Sequence, residues 1–143
     1  MNKYRKIFDP FTNRFINVMS EKGTLLLVNY IIESNKQLGG NVSKTEKKEF
    51  GRAQLTVVSD CKLFHNVWNT GLKEQVWMSH GDSVTSLPSG FRTVGMSENA
   101  PHAAIANDEK KFYAVQFHPE VVHTINGAKI LENFTRQISG CRG

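Results

Sequence analysis

Between residues 50 and 117 the chain alternates short apolar runs with turn chemistry. "RAQLTVVS" (52–59), "EQVWMSH" (74–80), "FRTVGMS" (91–97), "HAAIA" (102–106) and "KFYAVQF" (111–117) are rich in β-branched and aromatic residues and predict strands. "HGD", "LPSG", "ENAP" and "NDEK" carry the glycine, proline, asparagine and aspartate of turns and predict the breaks between them. "NGAKILENFTRQI" (126–138) predicts an amphipathic helix, with Ala128, Ile130, Leu131, Phe134 and Ile138 on one broad face.

Upstream, "GTLLLVNYIIESNKQLGG" (23–40) stops at paired glycines, as helices commonly do. Leu25 to Val28 are apolar on every side, so periodicity leaves open whether this stretch starts as a strand or is helical throughout. Residues 1–22 are polar, with scattered aromatics and no clean period. They read as an unassigned amino-terminal arm with room for one short helix, and residues 23–143 as the domain. Strands enclosed by helices at both ends predict an α/β layered architecture.

Composition narrows the function classes. A chain of 143 residues with 39% hydrophobic and 22% charged residues fits one soluble globular domain with a real core. No apolar run reaches bilayer length, and "MNKYRKIFDPFTNRF" has no continuous apolar core or small-residue cleavage site. The expectation is a cytoplasmic protein with no membrane partner. The net charge of +5 comes from Lys3, Arg5, Lys6, Arg14, Lys22, Lys36, Lys44, Lys47, Lys48 and Arg52, all in the first 52 residues, against a nearly balanced remainder. No basic block is interleaved with aromatics, so the charge reads as solvated surface and no nucleic-acid partner is expected. Cys61 and Cys141 lie far apart without metal-ligand spacing, which predicts two free thiols and no metal site.

The chemistry concentrates in "AVQFHPEVVHT" (114–124). Pro119 disfavours a helical conformation at His118, so His-Pro-Glu is expected to be extended, and extended residues two apart point to the same side. That brings the Glu120 carboxylate beside the His118 imidazole. Such a pair is the orienting half of a nucleophile–base–acid triad, although His and Glu at a strand end more often make a surface hydrogen bond.

The surrounding residues carry a specific resemblance. "EQVWMSHGDSVTSLPSGF" (74–91), "SENAPHAAIAND" (97–108) and "KFYAVQFHPEVVHTINGAKILENF" (111–134) closely resemble the class I glutamine amidotransferase domain of GMP synthetase. The resemblance runs from "KQLGG" (36–40) through "EFGRAQL" (49–55) to about Gly140 and Cys141. It implies a flavodoxin-like fold, a mixed sheet flanked by helices. It also implies a cysteine nucleophile that attacks the glutamine side-chain amide, forms a glutamyl thioester and releases ammonia. His118 matches the general base and Glu120 the acid that orients it. Ser79 and His80 match the segment whose backbone holds glutamine, and Asp82 a position close to that site. The resemblance places ATP and Mg in a separate synthetase domain, which turns XMP into GMP with the ammonia, and assigns no cofactor to this chain.

One departure stands out. The family's elbow sets its cysteine between glycines, because a sharp turn needs glycine torsions and the following amides must approach the oxyanion. Here the matching segment is "LLVNYIIESNKQLGG", which puts Val28, or with a one-residue deletion Asn29, at the nucleophile position. Neither carries a thiol. Residues 1–22 do not resemble the family's amino-terminal half, so the expectation is a partial domain lacking that part. Such a domain is catalytically inactive as it stands, and its uncovered sheet edges favour a homo-oligomer. The alternative is a non-catalytic module that docks on a synthetase subunit or on a complete amidotransferase; a decayed gene product is a third reading.

Overall fold

The computed structural model describes residues 5–6, 17–20, 23–27 and 39–138, the first three segments through their backbone. The described strands are β1 (Arg5–Lys6), β2 (Asn17–Ser20), β3 (Gly23–Leu27), β4 (Asn41–Val57), β5 (Lys73–Ser86), β6 (Arg92–Ser97), β7 (Ala100–Asn107) and β8 (Phe112–Val115). They form one sheet in the order β1-β2-β3-β8-β7-β6-β4-β5. β3 runs parallel to β8, with Leu25 opposite Tyr113, and the other pairs are antiparallel, so the sheet is mixed. A single 3₁₀ turn, Lys62–Phe64, follows β4. Helix α1 (Gly127–Glu132) continues as a π-helical turn, Asn133–Ile138.

Of the two readings left open for 23–40, the strand opening is found at Gly23–Leu27, and residues 28–38 lie outside the described residues. In the amino-terminal arm, the described backbone at 5–6 and 17–20 is strand, and the rest of the arm, where the sequence left room for a short helix, lies outside the described residues. Other expectations are corrected. "HGD" is no turn: β5 runs straight through it. Its irregular chemistry is absorbed by a register shift in β4, which pairs Lys44 with Asp82 and then Glu49 with His80, leaving Gly81 opposite four β4 residues. Ala100 and Pro101 of "ENAP" already belong to β7. In α1, Ala128 is exposed and Gly127 is buried in its place.

Packing follows the pleat. Along β7 and β8, Ala104, Ala106, Tyr113 and Val115 enter the main core, whereas Ile105 and Ala114 join Val84 on the opposite face. A strand buried on both sides reads as a continuous apolar run, which is why "HAAIA" is so short of polar residues. The main core closes with Phe64, Trp68 and Phe117 stacked in series, ring centroids 5.1 and 5.6 Å apart, under Ile130, Phe134 and Ile138. These last three side chains carry the helix against the sheet, each burial contributing about 1.5–3 kcal/mol.

Candidate functional site

His118 lies three residues beyond β8, where the chain leaves the sheet beside β5. Met78 and Phe117 form an antiparallel bridge, and the His118 N–H donates to the Trp77 carbonyl at 2.9 Å. The Thr124 hydroxyl donates to the His118 carbonyl at 2.5 Å and accepts the Trp77 N–H at 2.9 Å. Further along, the Ile125 N–H donates to the Gln75 carbonyl and the Gln75 amide to the His123 carbonyl. The 118–125 loop is therefore fixed to β5 by main-chain and side-chain bonds at both ends. Gly127 packs directly on the Pro119 backbone, where no Cβ fits.

Within that frame His118 Nδ1 and Glu120 Oε1 lie 2.8 Å apart, their side chains 10% and 17% exposed. A carboxylate only accepts, so His118 Nδ1–H donates to Glu120. Glu120 Oε2 is buried without a hydrogen-bond partner among the described residues. The arrangement can take a proton at Nε2 and stabilise the imidazolium that results.

Ser79, His80 and Asp82 follow on β5 just beyond Met78, which bridges to Phe117. The Gln116 amide, two residues before His118, donates to the Asp82 carbonyl at 3.1 Å. His80 Nδ1 lies 3.0 Å from the same carbonyl, and His80 Nε2 lies 3.0 Å from Glu49 Oε1. The Ser97 hydroxyl donates to that carboxylate oxygen at 2.6 Å. A cleft of about 610 Å³ opens between β4 and the β6–β7 turn, with Glu49 and Ser97 in its wall.

The sequence matches the family described as glutamine amidotransferase class-I over residues 34–138. The chain belongs to the class-I glutamine amidotransferases. It is 56% identical over 107 residues to the glutamine-hydrolyzing GMP synthase of Allorhizobium ampelinum and 58% identical over 106 residues to that of Brucella melitensis. These matches cover 75% and 74% of the chain and 21% of each relative, so it spans about a fifth of their length. Among solved structures it resembles a putative GMP synthase subunit from Thermoplasma acidophilum, with a TM-score of 0.71 and 28% identity, covering 77% of this chain and 54% of that one. A glutamine amidotransferase from Thermotoga maritima aligns with a TM-score of 0.60 and 25% identity, over 79% of this chain and 45% of that one. The flavodoxin-like fold expected from the sequence is thus the fold of this class-I amidotransferase.

The family match starts after Val28 and Asn29, and both lie outside the described residues, as does Cys141. Cys61 is buried at the start of the 3₁₀ turn, near Asp108 and Arg92, at the end of the sheet where β8 begins. Burial pushes its thiol up to about 12, which suppresses the thiolate. Asp108 anchors this end: burial pushes its carboxyl up, but bonds from Arg92, Tyr113 and the Lys62 N–H outweigh that and hold it below its usual range. Tyr113 is driven the other way, first by burial and then by its bond to Asp108.

Sequence reasoning missed Glu49, Ser97, Gln116 and Thr124, which the structure ties to the His80–Asp82 and His118 segments. Glu49 stands in "KTEKKEF", where it reads as one solvated charge among several. Among the described residues no three His, Cys, Asp or Glu side chains converge as a metal site, and no helix is long and apolar enough to cross a membrane.

Proposed function

We propose that this chain is a GMP-synthase-type glutamine amidotransferase unit that keeps the base, the orienting acid and the glutamine-facing strand but does not hydrolyse glutamine by itself. The observation that carries the reading is the His118–Glu120 pair at 2.8 Å, just after Gln116, whose amide bonds the Asp82 carbonyl. In this reading the backbone of 79–82 faces the glutamine amide and carboxylate, and His118 Nε2 is the proton acceptor. Glu120 fixes the tautomer and stabilises the imidazolium.

Inactivity rests on the nucleophile. Val28 and Asn29 have no atom that an adjacent histidine can activate as it does a thiol. Cys61 sits at the far end of β8 from His118 with its thiol kept neutral by burial. The proposal includes a cytoplasmic location and a synthetase partner that uses ATP and Mg to convert XMP to GMP. Ammonia release from glutamine by the purified chain, alone and with that synthetase, is the test: none above background supports the reading, and release that His118→Ala abolishes refutes it.

A further inference from the structure

We propose that Glu49 is a positioning residue that, through His80, sets the backbone of the Ser79–Asp82 segment; its bearing on glutamine rests on the reading above. Glu49 stands directly across from His80 in the β4–β5 ladder, at the point where pairing resumes after the register shift opposite Gly81. A strand that has just broken register does not fix its neighbour's backbone through the ladder alone. The side chains supply what the ladder omits there.

The Asp82 carbonyl has no hydrogen, so His80 Nδ1–H donates to it across Gly81. Glu49 Oε1 accepts the Ser97 hydroxyl at 2.6 Å and lies 3.0 Å from His80 Nε2, so the same oxygen joins β6 to the second nitrogen of the ring. Glu49, His80 and Ser97 are all buried, and a buried charge persists only when it is paired and hydrogen-bonded. One carboxylate thus ties β4, β5 and β6 together and holds the ring that grips Asp82. The Gln116 amide grips the same carbonyl from the other side, and the Lys48 stem lies over Gly81. Residues 80–82 are held by the His80 ring, the Gln116 amide and the Lys48 stem, and Glu49 is the member that fixes the ring.

Long-range nitrogen–proton NMR of the imidazoles in the folded chain at neutral pH tests this. In Glu49→Gln the His80 ring signals and the Gly81 and Asp82 amide peaks should shift, while those of α1 stay; Glu49→Asp should restore the wild-type pattern in part. His80 ring signals, or Gly81 and Asp82 peaks, unmoved in Glu49→Gln overturn the proposal. Should Glu49→Gln not fold, Ser97→Ala removes one donor to the same oxygen and is read on the same amides with the same two outcomes. Glutamine added to wild type separates the readings: 79–82 amides silent to glutamine, where Gly81 and Asp82 do respond to Glu49→Gln, count against the glutamine site and leave the clamp standing.

Discussion

Gly127 packs so closely on Pro119 that a Cβ at position 127 would collide with the Pro119 carbonyl oxygen and the backbone around it. The first residue of α1 thereby fixes the peptide between His118 and Glu120. A methyl group there has no flexible side chain to displace, only main chain. Gly127→Ala is expected to destabilise the fold by about 1–3 kcal/mol, the usual cost of overpacking, and to disturb the His118–Glu120 contact. Urea unfolding measures the first effect and the His118 ring signals the second.

The Phe117 ring joins the site to the core, stacked on Trp68 and fully buried. Phe117→Ala removes that contact immediately before His118. The expected cost is about 3–5 kcal/mol, from lost burial and the cavity left behind, measured as a fall in the urea midpoint with an unchanged slope.

Asp108 gives the fold an acid-sensitive joint. Its carboxyl is held below the usual range in the folded chain, so its contribution is present above the unfolded carboxylate value and is lost as pH falls through the folded one. Below about pH 4 the wild type should lose stability faster than Asp108→Asn. At neutral pH the variant should be less stable by about 1–3 kcal/mol, because Arg92 and Tyr113 lose their charged acceptor. Thermal melts across that range check both signs.

Cys61 should be inert in the native state. With the thiol buried and pushed up to about 12, little thiolate exists near neutral pH. A thiol reagent followed by peptide mass spectrometry is expected to leave Cys61 unmodified until denaturant is added; rapid native labelling would contradict this burial.

How much of this was legible differs from element to element. The strands around "QLTVV", "VWM" and "FYAV" declared themselves because burial on the sheet demands β-branched and aromatic side chains. The first half of β4, "NVSKTEKKEF", did not, since it pairs with β5 alone and, apart from buried Glu49, its described side chains are exposed. "HGD" looked like a turn because local chemistry cannot show that a neighbouring strand absorbs the irregularity. At the site, Pro119 made the His118–Glu120 geometry readable from three residues. The ties of Thr124 to Trp77, Gln116 to Asp82 and Glu49 to His80 span 47, 34 and 31 residues, and no local pattern encodes them.

The central claim is that the base and its orienting acid are in place without a nucleophile to serve. Glutamine-dependent ammonia release by the folded chain, with and without an ATP-using GMP synthetase partner, tests it most directly, with His118→Ala and Cys61→Ala as controls. The account predicts no release above background in any sample. Release that vanishes in His118→Ala would contradict it, and its loss in Cys61→Ala would name the thiol responsible.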